Sequence, residues 1–418
     1  MYHYISVNMP FIDSSNARTL HKVFKGLYSD MRRSFSACNL DPPTVQAVDS
    51  LLKLPLPADM RQQLLSSNDA NLSMDYFPKE IQHHILNEQS VAVTYKFGVG
   101  DRNMNLHFVV FNKRKSDLNM SKMLERAKRV CALMHLVSLH ASRSTCSATL
   151  QIYIYMTDFK KRFPDKAGEA LDAEHANTGM SYHCAKTNDI VVYRKEEWFK
   201  VLIHELFHAF GLSFIESDMP DGVHAAMQAM LKQTYAISHT VRVYETYCEI
   251  WARILNVVFA CFADGEHGNH ASSDVDFAIF GECVLKGLHK DAEFALHQCA
   301  KIMQHMDIPA SVMLNPTKDN RAMVTEKYRE NTNVFAYYVM TCALQHSPDV
   351  FLTWCHKNNP KGQMLQFRTI LSNFNGFMEM LFHCKHRCPV PGTVAEFHRV
   401  IPSSSMRMTM PNSTEYVP

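Results

Sequence analysis

The sequence carries almost no net charge. Its 43 Lys and Arg residues are offset by 41 Asp and Glu residues, which leaves a formal charge of +2 and a pI near 8.0. A chain so balanced lacks the basic patch that nucleic acid or an anionic membrane surface would need, so neither is expected as a partner. Long hydrophobic runs are also missing. The longest, Val257–Ala263, falls far short of the ~20 apolar residues that cross a bilayer. The opening residues Met1 to Asn8 hold neither a basic segment nor an apolar stretch of the kind that directs secretion. The expectation is therefore a cytoplasmic protein. In that setting the twelve scattered cysteines, several of them inside helical patterns (Cys131, Cys248, Cys261, Cys299), read as reduced and mostly buried thiols.

What is present is the composition of a globular chain, 46% hydrophobic and 20% charged over 418 residues, enough for two or three domains. Residues 1–90 read as helical, with an apolar face from Leu20 to Phe35 and shorter helices near Pro43–Leu54 and Pro57–Ser67. From Val91 the period changes to two. Val91, Val93, Tyr95 and Phe97 alternate, as do Leu106, Phe108 and Val110, which predicts an antiparallel pair turning at Gly98–Asp101. A helix over 117–140, a strand over 148–156 and a strand over 190–193 follow. The stretch after Ala263 reads as helical, at about 275–306, 320–345, 348–357 and 364–384.

The chemistry concentrates in Val201–Gly211, where His204, Glu205 and His208 spell His-Glu-x-x-His. On a helix, positions i and i+4 share a face, so the two imidazoles can hold one zinc ion. The Glu beside the first His then reaches a zinc-bound water as general base. Glu196 and Glu197 sit where a first turn favours acids, and Gly211 provides a stop. The competing account is a buried amphipathic helix with two satisfied histidines, and a third ligand decides between them. A histidine after Gly211 would be one solution, but position 214 is Phe. A downstream carboxylate is the other. Glu245 and Glu249 lie one turn apart on an otherwise apolar helix predicted over 240–263, and buried carboxylates need a partner.

His-Glu-Leu-Phe-His followed by Glu-Thr-Tyr-Cys-Glu-Ile-Trp-Ala resembles the paired helices of the zincin metallopeptidases of the gluzincin type, over about residues 147–260. The resemblance implies an α+β fold with a zincin-like core: a small mixed sheet, an active-site helix and a following ligand helix. Helical N- and C-terminal regions would flank it, giving divisions at 1–90, 91–263, 264–400 and a disordered tail at 401–418. It implies zinc as cofactor, Glu245 as third ligand and Glu249 as the residue orienting a ligand histidine, with the exchanged roles as the alternative. It also implies a peptide or protein substrate, paired to an edge strand near Asn177, Gly179 and Met180. Tyr235, His239, His224 and His183 are the candidates to stabilise an oxyanion. The chain also resembles zincin-like proteins of large DNA viruses, which keeps a non-catalytic scaffold or virion component as the alternative function. Two further histidine groups are read without metal: His267 and His270 as loop residues, and His383-Cys-Lys-His-Arg-Cys388 as a basic helix end with no matching ligand pair elsewhere.

Overall fold

Alternating apolar residues in the middle of the first half build a six-stranded mixed sheet in the order β1-β2-β3-β4-β6-β5. The strands are β1 (Thr44–Val48), β2 (Ser90–Val99), β3 (Arg102–Phe111), β4 (Thr149–Tyr155), β5 (Gly179–Ser181) and β6 (Thr187–Val192). The helices used below are α1 (Ala17–Ser36), α2 (Ala58–Ser66), α3 (Lys79–Asn87), α4 (Met120–His140), α5 (Trp198–Ala209) and α6 (Val223–Tyr235). They continue with α7 (Val243–Ala263), α8 (Asp274–His305), α9 (Arg321–Lys327), α10 (Thr341–Gln345), α11 (Pro348–Asn358) and α12 (Leu371–Arg387). This computed structural model describes residues 14–50, 53–66, 77–263, 274–309, 311–312, 316–389 and 402–410. His267 and His270 lie outside the described residues. The architecture is α+β, as expected.

The described residues fall into two compact units. One is built around the sheet and takes Asp30–Lys161 and Asn177–Leu212. The other is helical and takes the described residues up to Ser29, Arg162–Ala176 and those from Ser213 to Met410. The chain thus passes between units several times, rather than dividing at residues 90 and 263.

In the sheet unit, β2 and β3 form the predicted hairpin, with Val93 opposite Phe108 and Val99 opposite Arg102. β3, β4 and β6 are mutually parallel, and β1 and β5 close the two ends antiparallel to their neighbours. A parallel connection needs a crossover. Helix α4, opened by Asn119 accepting a hydrogen bond from the Lys122 amide at 3.1 Å, supplies the one between β3 and β4. Side chains then alternate across the sheet. Ala92, Val109, Tyr153, Tyr155 and Val191 face a core completed by Leu54, Leu56, Met60, Phe77, Ile81 and Ile85. The opposite row, Val93–Phe108–Ile154–Val192, runs strand to strand and is fully buried. Trp198 of α5 meets Phe108 edge-on on that side, and Arg129 of α4 lies over the Phe199 ring.

Three segments depart from their expected form. Thr44–Val48, read as a helix behind Pro43, is a strand. Its Thr and Val residues suit a pleated surface, and the open edge of β2 provides the partner. Cys146–Cys184 and Cys261–Cys283 are disulfides rather than reduced thiols, while the other eight cysteines are free and all but Cys38 are buried. In the tail expected to be disordered, residues 402–410 pack into the helical unit with Met406 and Met408 buried. There the Ser404 carbonyl accepts from the Phe163 amide at 2.9 Å, and Gln298 donates to Ser405 at 3.3 Å. Residues 411–418 lie outside the described residues.

The helical unit is knit by aromatic contacts. Tyr28 packs against Phe262, Phe277 and Phe280, and Tyr247 and Trp251 of α7 both meet Phe351. Arg253 of α7 forms a buried two-pronged ion pair with Asp291 of α8 at 3.0 and 3.2 Å. The helix expected over 320–345 is interrupted: α9 ends at Lys327, and a π-helical turn, Phe335–Met340, leads into α10. No helix among the described residues is long and apolar enough to cross a membrane.

Candidate metal centre

Helix α5 carries the His-Glu-x-x-His residues, and both of its ends are held by the sheet unit. At the C-terminus Gly211 adopts φ 63°, a conformation that suits glycine, and its amide donates to the His208 carbonyl at 3.0 Å. The Leu212 amide donates to the Phe207 carbonyl at 2.9 Å, completing a Schellman stop. The expected stop is therefore where the helix ends. The start differs. Glu196 and Glu197 precede the helix instead of lining its first turn, and both are buried. Glu197 sits at φ 58° and pairs with Lys161, whose side chain is equally buried, while Glu196 accepts from the Lys161 amide at 2.8 Å. Burial pulls the Lys161 ammonium below its ordinary pKa, with Glu197 opposing. This ion pair ties the end of the β4 loop to the start of α5. Removing one partner of such a pair costs about 3–5 kcal/mol. The Glu197→Ala protein is expected to lose that much in chemical denaturation, and Glu197→Ala with Lys161→Met to regain part of it. A single variant as stable as the parent would show that the pair does not hold the helix start.

His204 is buried and His208 half-buried, and their rings meet at 66° with the Nε2 atoms 3.3 Å apart. Two nitrogens bound to one zinc at 2.0–2.1 Å with a tetrahedral angle stand about 3.3 Å apart. The observed spacing is that of one edge of such a tetrahedron, so the two nitrogens could hold one metal ion together. Glu205, between them in sequence, is buried, and its carboxylate accepts a hydrogen bond from Ser181 Oγ at 2.7 Å. The same hydroxyl lies 3.1 Å from the Glu205 carbonyl oxygen. Burial pushes the nearby Tyr193 phenol above its ordinary pKa; Arg194 opposes this and the Glu205 carboxylate adds to it.

β5 explains this contact through its register. Gly179 pairs with Val192 and Ser181 with Ile190, so Gly179 and Ser181 continue the rows that face α5. Met180 points the other way and packs on the core of the far face. The expected edge strand is present, but its three predicted residues do not act alike. A Cβ on Gly179 would stand 2.8 Å from Val201 Cγ1, 2.9 Å from the Val191 carbonyl and 3.1 Å from Glu205 Cγ. Glycine is what lets the strand lie directly on α5. Gly179→Ala should cost about 1–3 kcal/mol by overpacking, read as a lower denaturation midpoint; an unchanged midpoint would mean that the helix yields freely. Asn177 lies just before the strand, where the Tyr193 amide donates to the neighbouring Thr178 carbonyl at 2.9 Å.

Compared with known families, curated proteins and solved structures, the chain matches none.

Glu245 and Glu249 belong to the helical unit, in and just beyond the first turn of α7, and both are buried. Within that unit the Glu245 carboxylate accepts from Tyr337 Oη at 3.3 Å and from Asn333 Nδ2 at 3.4 Å. Tyr337 lies in the π-helical turn, a local widening often found at functional sites. Sequence reading missed both donors, because neither spacing nor a motif links them to α7. Of the four oxyanion candidates, Tyr235 is buried in the helical core with its ring edge-on to Phe335. His239 pairs with Glu330 at 3.0 Å and stacks on Tyr328. His224 lines a shallow depression beside α6 with Tyr244, and His183 follows β5 in the sheet unit. The region 216–222 is largely exposed, as expected of a loop. A second set of side chains that could hold a metal ion, Cys342, His346 and Cys388, occurs in the helical unit.

Proposed function

We propose that this chain is a zinc-dependent metallopeptidase with a zincin-like core, in which His204, His208 and Glu245 hold the ion and Glu205 is the general base. The observation that carries the reading is the pair of Nε2 atoms 3.3 Å apart on α5, beside a carboxylate held in place by Ser181. The assignment of Glu245 rests on its place in the paired helix motifs and on its donor chemistry. Zinc held by these residues supplies Lewis-acid polarisation of a peptide carbonyl and makes water more acidic. The residues of the chain do the rest. Glu205 takes the proton of the attacking water and passes it to the departing amide nitrogen. Ser181 steers the carboxylate without protonating it, because a hydroxyl donates a hydrogen bond and keeps its proton. Glu249 orients a ligand histidine. β5 ends the sheet, so an extended peptide adds along its outer side by backbone hydrogen bonds from the segment of Asn177, Gly179 and Met180.

The test is metal analysis of the purified full-length protein together with cleavage of a diverse peptide library, with and without a chelator. Zinc with chelator-sensitive cleavage supports the peptidase. Zinc with no cleavage of any peptide points to the non-catalytic scaffold. Absence of zinc from the His204 and His208 site would remove the reading altogether.

A further inference from the structure

We propose that Cys342, His346 and Cys388 form a second zinc site inside the helical unit. Cys342 and His346 lie one turn apart at the end of α10, and Cys388 caps the C-terminus of α12. The Cys342 and Cys388 sulfurs are 3.9 Å apart, and His346 Nδ1 stands 3.8 Å from the first and 3.9 Å from the second. Around a tetrahedral zinc with Zn–S near 2.3 Å and Zn–N near 2.0–2.1 Å, two sulfurs lie about 3.8 Å apart and a sulfur and a nitrogen about 3.6 Å. The three atoms thus outline one face of such a tetrahedron. A pair of thiols on the way to a disulfide would have no reason to hold an imidazole at the same distance from both sulfurs.

Two thiolates and one imidazole select a soft, borderline metal over magnesium or calcium. Binding releases the thiol protons to solvent. His346 Nδ1 now lies 2.9 Å from the Cys342 carbonyl. On coordination Nδ1 gives up that hydrogen bond and its proton, and the neutral imidazole carries its one proton on Nε2. The ion would fasten α10 and the end of α12 to one another.

The experiment uses the full-length protein carrying His204→Ala and His208→Ala, so that zinc at the proposed catalytic site is not counted. This protein is expected to retain one zinc per chain, and its cobalt-substituted form to show sulfur-to-cobalt charge-transfer absorption. Adding Cys342→Ser and Cys388→Ser should abolish both. His346→Ala alone removes one donor while leaving both sulfurs in place; it should weaken zinc binding and shift the cobalt spectrum. A zinc-free double-histidine protein, a cobalt form without charge transfer, or zinc that survives loss of Cys342 and Cys388 would overturn the site. A spectrum unmoved by His346→Ala would overturn the assignment of His346.

Discussion

The Glu205→Gln protein is expected to keep its zinc and to lose peptidase activity by a factor of about 10² or more. The physical case is unusually clean at this position. Glutamine has nearly the same shape, so the close approach of Gly179 to the side chain is undisturbed. Its amide oxygen can still accept from the Ser181 hydroxyl, which now bonds the carboxylate at 2.7 Å. What disappears is the ability to take a proton. His204→Ala is the converse change: it removes one of the two Nε2 atoms that face each other and should lose the zinc at this site while leaving Glu205 in place. Zinc content and initial cleavage rates, measured side by side on the two variants, separate base from ligand. Cleavage retained by Glu205→Gln would sink the mechanism.

The second large effect concerns the two acidic residues of α7. Glu245→Ala should reduce zinc affinity at the His204 and His208 site by well over the roughly 10–100-fold that loss of an outer hydrogen-bonding partner costs. Glu249→Ala, or the better-fitting Glu249→Gln, should fall within that smaller range. The difference follows from roles. A ligand carboxylate donates directly to the ion, whereas Glu249 is assigned to accept the spare ring N–H of a ligand histidine and raise its basicity. Tyr337 and Asn333 already hold the Glu245 oxygens, so Tyr337→Phe should weaken zinc binding less than Glu245→Ala while leaving α7 folded. Chelator competition on all the variants gives the comparison. Equal affinities for the parent and both Glu249 variants would reduce that residue to a structural carboxylate, and a Glu249 effect larger than that of Glu245 would exchange their roles.

Local patterns account for what could be read directly. The His-Glu-x-x-His helix was visible because apolar residues recur at helical spacing around it and Gly211 terminates it. The Glu245 helix and the β2–β3 hairpin were visible for the same reason, their period. Where a long-range partner decides the outcome, such patterns mislead. Thr44–Val48 follows a proline suited to a helix start, yet the unfilled edge of β2 draws it into the sheet. Residues 402–410 look like a polar tail, yet Met406 and Met408 find a buried place and Ser404 and Ser405 find donors.

By itself, then, the sequence determined which helices carry the candidate ligands, since helical spacing depends on residues within a turn or two of each other, while the edge strand was placed by the family resemblance. Only the tertiary structure decided which way each residue of that strand faces. Strand side chains alternate, and the pairing of Gly179 with Val192 puts Gly179 and Ser181 against Glu205 while Met180 turns to the far core. It likewise decided the company of Cys388. The helix end at 383–388 shows no second ligand pair nearby, because its partners Cys342 and His346 lie more than forty residues earlier and Cys342 and Cys388 meet only when α10 and α12 pack together. Chain neighbours set helices and strands, but a metal site is set by donors whose distance in space has no fixed relation to their distance in sequence.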